Sequence, residues 1–357
     1  MIYNVIGLMS GSSLDGLDIA FVEITDMRND WSFDIKVADC IAFEDTLKQQ
    51  LRNAAQLSVP EYLNLHTAFG KWLGSQVNTF IDQNELHHKV HFIASHGHTV
   101  FHEPHKGTSV QIGDGAGIAA ITGLTAITDL RNMDVALGGQ GAPIVPMADR
   151  MLFKEYDFCL NLGGIANLTV NTEHPIAFDI CPANQLLDFY AQQLGHPYDA
   201  HGAIARQGTV HDGLLAQLNA LEYYQVNAPK SLANDYTAQL HQLADSSGLA
   251  AADILATYVA HIAQQIQKAI APYQQEAMQK MLVTGGGALN TYLVECIQAH
   301  LNNLSLVVPE DSIVMHKEAV AMALMGVLRW REETNVFASV TGASRNSIGG
   351  AVWLGNN

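Results

Sequence analysis

The chain has little cysteine, little positive charge and no long apolar run, and each shortage removes a class of function. Its four cysteines, Cys40, Cys159, Cys181 and Cys296, stand far apart among 357 residues with no C-x-x-C pair, which excludes a disulfide framework and a zinc ribbon and fits a reducing, cytoplasmic setting. No stretch reaches the roughly 18 apolar residues of a membrane span. The N-terminus also lacks a basic region followed by an apolar core, so neither secretion nor membrane insertion is expected. Eighteen Lys and Arg stand against thirty-five Asp and Glu, a net charge of -17. Such a surface repels nucleic-acid phosphates and acidic membranes, so no nucleic-acid or membrane partner is expected.

With 48% apolar and 15% charged residues, the chain can bury a core and is long enough for two domains of about 150 residues. An acidic protein that binds a small anion must meet its charge locally, with backbone N–H groups, a divalent cation and a few placed Arg or Lys. The opening stretch offers such a place. Apolar residues 2–9 and 17–24 flank Ser10-Gly11-Ser12-Ser13-Leu14-Asp15-Gly16-Leu17-Asp18, the pattern of strand, tight turn, strand. Gly11 and Gly16 are free to take positive φ, which would aim successive N–H groups into one concavity beside the serine hydroxyls, a phosphate cradle. Asp15 and Asp18 are oxygen ligands suited to a hydrated Mg²⁺. The turn has no Walker-type lysine, and a hairpin that is Gly-rich for steric reasons alone remains an alternative.

Residues 31–41 alternate apolar and polar as a third strand. Pro60 opens a helix with Leu65, Phe69, Leu73, Val77 and Phe80 on one face. A short strand at residues 91–95 is expected to run into a polar loop at 95–105, the position where open α/β sheets place ligands. Residues 111–117 lead into a small-residue helix, and residues 125–129 form another strand, followed by loops at 129–134 and 138–143. The pattern then starts again: residues 158–162, the turn Gly163-Gly164, residues 166–170, and a third strand at 176–180 ending at Asp179. A duplicated meander with a phosphate-type turn implies two similar lobes. Later come a helical face at Ile254, Tyr258, Ile262, Ile266 and Ile270 and a strand at 281–284 running into Gly285-Gly286-Gly287. A last long helix at 317–330 follows, with Val320, Leu324 and Val327 to Leu328 as its buried stripe, and an apolar tail is expected to pack back on the first lobe. The expected division is 1–130 with 335–357 for the first lobe and 131–334 for the second.

Three Gly-rich turns, two of them in repeated meanders, argue for a nucleotide held between two lobes. The architecture suggested is α/β, the actin-like ATPase fold of two ribonuclease H-like halves with an interlobe nucleotide cleft. Phosphoryl transfer needs positioning, charge stabilisation and a carboxylate to activate the attacking oxygen. Asp179, ending a strand before a loop at 180–184, is the candidate, and a helix cap is its structural alternative. Arg131, in a loop after a strand, suits an anionic substrate, or a surface ion pair. The pair His96-x-His98 has metal-ligand spacing, but no partner set follows it, and sixteen histidines make chance pairs common.

Several long motifs carry a resemblance to a known family. Gly11-Ser12-Ser13-Leu14-Asp15-Gly16, Ser95-His96-Gly97-His98-Thr99-Val100-Phe101-His102, Gln111-Ile112-Gly113-Asp114-Gly115, Gly138-Gly139-Gln140-Gly141-Ala142-Pro143, Asn161-Leu162-Gly163-Gly164-Ile165-Ala166-Asn167 and Thr284-Gly285-Gly286-Gly287-Ala288 occur in this order. Over nearly its whole length the chain resembles the anhydro-N-acetylmuramic acid kinases, bacterial enzymes of the actin-like superfamily. The resemblance implies use of ATP and Mg²⁺ to open the 1,6-anhydro bridge and phosphorylate O6, giving N-acetylmuramic acid 6-phosphate in cell-wall recycling. It also implies a homodimer. By the same resemblance Asp179 is the catalytic base, residues 11–18 hold the ATP phosphates, and Thr99, Arg131 and Glu318 line the sugar site. The chain departs from the family where Thr-Gly-Pro-Gly-Asn after the base is replaced by Ile180-Cys181-Pro182-Ala183-Asn184, which implies a stiffer loop. It departs again where Lys-Ser-Thr-Gly-Arg-Glu is replaced by Lys230-Ser231-Leu232-Ala233-Asn234-Asp235. On sequence, a nucleotide-binding regulator with little catalysis and a kinase for a related sugar stay open as alternatives.

Overall fold

A computed structural model describes all residues except 12–13, 228–229, 233–235 and 357. The chain divides into two compact units, Met1–Leu152 with His316–Asn357, and Phe153–Met315.

The first unit opens with β1 (Ile2–Ser10), β2 (Gly16–Met27) and β3 (Asp30–Ala42), then adds β4 (Phe92–Glu103), β5 (Thr108–Ile112), β6 (Thr125–Thr128) and, from the C-terminus, a twelfth strand introduced below. β1 pairs antiparallel with β2, and β2 with β3; β4 adds to β1 in parallel and β6 to β4 in parallel. The second unit carries β7 (Phe158–Leu162), β8 (Ile165–Val170), β9 (Ile176–Pro182), β10 (Gln279–Thr284) and β11 (Leu304–Val307) in the order β11-β10-β7-β8-β9. Again the first three strands form an antiparallel meander, and the fourth and fifth add in parallel. Order and sense match the core β6-β4-β1-β2-β3 of the first unit. The chain is thus a mixed α/β protein of two sheets, built from one ribonuclease H-like topology used twice. The final strand, β12 (Ala351–Trp353), pairs antiparallel with β6, so the tail completes the first unit's sheet.

Apolar content decides which strands are central. Val5, Ile6 and Leu8 of β1 and Ile93 and Ala94 of β4 are fully buried, as continuous apolar strands covered on both faces should be. β3, at the sheet edge, keeps its alternation: Trp31 is buried and Ser32, Asp34 and Lys36 are exposed. The helix Val59–Gln83 starts at a capping box in which Glu61 accepts from the Ser58 N–H at 3.0 Å, and Pro60 occupies its first turn. Its five expected core positions, Leu65, Phe69, Leu73, Val77 and Phe80, are all buried. In the second unit the helix Ala251–Ile270 buries Ile254, Tyr258, Ile262, Ile266 and Ile270 in the same way.

Four expectations need correction. Residues 95–103 are strand rather than loop, because β5 folds back on β4 and pairs Thr99 with Gln111 and His102 with Ser109. Similarly, β9 continues through Cys181 to Pro182, paired with Ile165 and Ala166, so no open loop follows Asp179. Ile180 and Cys181 are core residues and the helix Asn184–Gln193 follows at once. The last long helix spans Asp311–Trp330, and from Ala319 to Leu328 it is buried on all sides rather than along a stripe. Finally, the units divide at 152/153 and 315/316, not at 130/131 and 334/335. The intervening pieces belong to the first unit through buried polar bonds: Asp134 accepts from the Thr341 hydroxyl at 2.7 Å, and Lys317 pairs with Asp149 at 3.0 Å. No linker composition marks the second boundary, because it falls inside the continuous helix 311–330.

Candidate active site

Asp179 lies on β9, the edge strand of the second sheet, where residues 230–232 run alongside it. Its N–H donates to the Lys230 carbonyl at 3.0 Å, and its own carbonyl accepts from the Tyr223 hydroxyl at 2.7 Å. Its carboxylate accepts twice, both times on Oδ2, from the Leu232 N–H at 3.0 Å and the Ser231 hydroxyl at 3.1 Å. Among the described residues nothing bonds Oδ1. Burial pushes the carboxyl above the ordinary carboxylate range, and the Leu232 and Ser231 hydrogen bonds pull it part of the way back. The result is a carboxylate fixed in direction on one oxygen, with the other available, and with its basicity raised. The altered segment after Lys230 therefore still holds Asp179 through Ser231 and Leu232; residues 233–235 lie outside the described part. Asp179 is no helix cap: the helix begins five residues on, with Ala183 at its N-cap position.

The second unit's two Gly-rich turns meet. Gly163 and Gly164 turn their carbonyls to the start of the helix Asn184–Gln193, accepting from the N–H groups of Ala183, Asn184 and Gln185 at 2.8–3.2 Å. The helix's leading N–H groups are thereby occupied. Gly285 has φ +81 and ψ 161, a conformation open to glycine alone. A Cβ there would stand 2.5 Å from Asn161 Oδ1 and 2.8 Å from the Leu162 carbonyl oxygen. Asn184 Nδ2 donates to the same Leu162 carbonyl at 3.1 Å, and Gly286 faces Asn184 with space to spare. The carboxyl ends of β7 and β10 and the start of one helix thus form a floor of glycine backbone bordered by the side chains of Asn161, Asn184 and Gln185.

In the first unit the turn between β1 and β2 is as expected in place but not in geometry. Gly16 is not the residue of positive φ. It is extended in β2 and lies against β3, where a Cβ would meet the Ile41 carbonyl oxygen at 2.6 Å and Cys40 Sγ at 2.9 Å. Leu14 takes the left-handed conformation instead, at φ 59. Ser12 and Ser13, the expected cradle hydroxyls, lie outside the described residues. Asp15 is exposed, Leu14 and Leu17 are buried, and Gly11 and Asp18 are half-buried. Burial raises the Asp18 carboxyl to about 6 against a hydrogen bond from Cys40, with the Glu318 and Asp15 charges adding to the rise. Asp18 and Asp15 with Glu318 are therefore one electrostatic group. Among the described residues no set of three His, Cys, Asp or Glu is arranged to hold a metal.

Arg131 is set by a network that sequence reasoning missed. Its Nε donates to His96 Nε2 at 2.8 Å and its Nη1 to the Gly141 carbonyl at 2.6 Å. His96 in turn donates from Nδ1 to the Gly97 carbonyl at 3.0 Å, so it is the neutral Nδ1–H tautomer. Burial, reinforced by the Arg131 charge, lowers His96 to about 3, and burial lowers His98 to about 4. Both stay neutral at any working pH. Gly141 is itself anchored, its N–H donating to Asp134 Oδ2 at 2.8 Å while Asp134 Oδ1 accepts from Thr341. Arg131 is pulled down to about 10 by burial, with Glu318 and Asp134 opposing, and remains a cation. Burial pushes the Glu318 carboxyl up against the Lys317 and Arg131 charges. Thr99 is exposed on β4 and accepts from Gln111 Nε2 at 3.3 Å. The His-x-His pair is thus structural: His96 orients Arg131, and His98 bonds Ser10 Oγ at 3.0 Å. The motif Gly138-Gly139-Gln140-Gly141 marked this loop in the sequence without tying it to Arg131.

Residues 3–355 match the family model for anhydro-N-acetylmuramic acid kinase. The chain belongs to this family. It is 34% identical over 377 residues to the anhydro-N-acetylmuramic acid kinase of Synechococcus elongatus, covering 98% of this chain and 99% of that one. To the enzyme of the same description from Vibrio cholerae it is 33% identical over 371 residues, covering 98% and 97%. Among solved structures it aligns with an activator of the 2-hydroxyisocaproyl-CoA dehydratase from Clostridium difficile with bound ADPNP, at a TM-score of 0.47 and 12% identity over 93% and 96% of the two chains. As a member of the kinase family the chain is a carbohydrate kinase, a phosphotransferase that uses ATP, and the regulator reading finds no support. No helix among the described residues is long and apolar enough to cross a membrane.

Proposed function

We propose that the chain hydrolyses the 1,6-anhydro bridge of anhydro-N-acetylmuramic acid and transfers the γ-phosphoryl group of ATP to O6, giving N-acetylmuramic acid 6-phosphate and ADP in cytoplasmic peptidoglycan recycling. The observation that carries the reading is the Asp179 carboxylate, held on Oδ2 by Ser231 and Leu232 and unbonded on Oδ1 among the described residues. In the proposed reaction Oδ1 takes a proton from water as its oxygen bonds to the anomeric carbon. The bond from that carbon to O6 breaks, O6 keeps the electron pair and bonds to the γ-phosphorus, and ADP leaves. Asp179 then releases its proton to solvent. A carboxylate with a raised pKa is the stronger base for the first step, provided it is ionised at the working pH.

Arg131, kept charged and aimed by His96 and Gly141, is assigned to the sugar's carboxylate-bearing side, with Glu318 and Thr99 as hydrogen-bonding partners of the same substrate. The backbone of residues 11–18, Gly163, Gly164, Gly285, Gly286 and Gly287 is assigned to the nucleotide. Mg²⁺ fits Asp15 and Asp18: they offer hard oxygen donors, and a divalent cation would offset the burial that chiefly raises Asp18 as well as the smaller repulsion from Glu318 and Asp15. Among the described residues no third His, Cys, Asp or Glu joins them, which leaves room in the shell for nucleotide phosphates and water. When bound, the ion neutralises phosphate charge. A homodimer is part of the proposal.

The test is mass spectrometry of protein incubated with Mg-ATP and anhydro-N-acetylmuramic acid. A product heavier than the substrate by one water and one phosphoryl group supports coupled opening and transfer. An untouched sugar with ATP bound refutes the substrate, and a panel of related sugars then finds the true one.

A further inference from the structure

The main chain of Asp179 belongs to a closed ring of three hydrogen bonds. The Asp179 N–H donates to the Lys230 carbonyl at 3.0 Å, the Lys230 ammonium donates to the Tyr223 carbonyl at 2.8 Å, and the Tyr223 hydroxyl donates to the Asp179 carbonyl at 2.7 Å. Each of the three residues is thereby tied to the other two. Because β9 is an edge strand, its outer main-chain groups have no sheet partner, and at Asp179 this ring takes up both of them.

Tyr223 is the fixed corner of the ring. Its aromatic face packs edge-on against Tyr224 with centroids 5.6 Å apart and lies 5.2 Å from the Tyr236 ring, and the Lys230 ammonium stands 4.2 Å from its centroid. Burial, with the Asp179 charge adding, pushes the Tyr223 phenol well above its ordinary range, so it stays protonated and keeps a proton to donate. Lys230 is the joint: its side chain is bound to Tyr223 and its carbonyl to Asp179. The two residues that follow it, Ser231 and Leu232, are the ones that bond Asp179 Oδ2. Ser231 is exposed and has no packing of its own. The Lys230 anchor beside it sets where its hydroxyl falls.

We infer that Lys230 and Tyr223 are positioning residues of the Asp179 carboxylate and, on the reading of Asp179 given above, of the base: together they seat residues 230–232 on β9 and so fix which way Oδ1 points. Neither side chain bonds the carboxylate. What acts on that carboxyl is burial and the Leu232 and Ser231 hydrogen bonds, with no charged side chain among the causes. A change at Tyr223 or Lys230 therefore reaches it through the placement of residues 230–232.

Two readouts on the full chain test the inference. NMR of protein isotope-labelled at aspartate Cγ follows the Asp179 carboxyl directly, its resonance assigned by its absence from Asp179→Asn. Tyr223→Phe keeps the ring and changes no charge; it should move that titration up by about one pH unit, the worth of one hydrogen bond lost from a carboxylate. Lys230→Met should move it at least as far, and Lys230→Arg, which still offers the Tyr223 carbonyl a donor and the ring a cation, should bring it most of the way back. In steady-state kinetics Tyr223→Phe and Lys230→Met should lower kcat by about tenfold, as a misaimed base does, with the KM values for sugar and ATP within about twofold. In the Asp179→Asn background Tyr223→Phe should lower the residual rate no further, because it acts only through that carboxylate. Tyr223→Phe carries the test if Lys230→Met fails to fold. An unshifted Asp179 titration in Tyr223→Phe, even with a lowered melting temperature, would overturn the inference, as would an undiminished effect of Tyr223→Phe in the Asp179→Asn background. A shifted titration together with full turnover in Asp179→Asn would instead remove the base assignment and leave the positioning of the carboxylate standing, so the two failures read differently.

Discussion

Replacing Ser231 by alanine isolates one hydrogen bond to the proposed base. In the folded protein the Ser231 hydroxyl donates to Asp179 Oδ2 at 3.1 Å and stabilises the ionised carboxylate against the cost of burial. Hydrogen bonds to charged groups are worth about 1.5–3 kcal/mol. Ser231 is exposed, so water takes over part of the lost bond and about 1–1.5 kcal/mol is the reasonable share. At 1.36 kcal/mol per pKa unit, the Asp179 carboxyl should rise by about one unit. The sign follows directly: a base works when ionised, so a higher pKa moves the acidic limb of kcat/KM to higher pH. The assay is kcat/KM for the sugar from pH 5 to 9. Ser231→Ala should show an acidic limb about one unit higher and a plateau within a few-fold of the unmodified enzyme. Leu232 supplies the other bond from its main chain, which alanine at 231 leaves intact. An unshifted limb would mean either that Asp179 does not titrate in the rate-limiting step or that Ser231 does not hold it.

Asp179→Asn should lower turnover by at least about a hundredfold while ATP affinity changes little, since it removes the base and keeps the shape; retained turnover would exclude Asp179 from that role. His96→Leu removes the acceptor of the Arg131 Nε–H in a buried setting and should raise the sugar KM by about tenfold with a smaller effect on kcat, whereas an unchanged KM would detach Arg131 from the substrate. Gly285→Ala forces a side chain into φ +81 and against Asn161 and Leu162, and should destabilise the fold by about 2 kcal/mol or more in denaturant titration; wild-type stability there would contradict the close packing. Asp18 titrates near 6 in the folded chain against 3.8 for the free group, so its contribution to stability is fully present below pH 3.8 and is lost as pH rises through 6. Asp18→Asn should flatten that loss, and binding of Mg-ATP near pH 6 should release protons from the unmodified protein, read from the buffer dependence of binding enthalpy, with no such release in the variant.

Periodicity and punctuation in the sequence determined a large part of the architecture. Alternation located β3, three- and four-residue steps located the helices Val59–Gln83 and Ala251–Ile270, and the repeated strand-turn-strand pattern revealed the duplication, because these are local consequences of which side chains face a core. The Gly-rich motifs and Asp179 could be named as candidates for the same reason: a residue type needed at one place is visible without knowing its neighbours. What the sequence could not decide depends on partners far away along the chain. His96, whose metal-ligand spacing to His98 came with no partner set, is the acceptor for Arg131, thirty-five residues on. The segments after Ser95 and Asp179 looked like loops and are strands, because β5 and β8 pair with them. Ser231 gave no sign of reaching Asp179, fifty-two residues earlier. The unit boundaries likewise followed from buried bonds such as Lys317 to Asp149 rather than from any linker composition. Local pattern reports what each segment does with its own backbone and face; which charge meets which, and hence what each ionisable group can do, is settled only when segments distant in sequence are packed together and water is excluded between them.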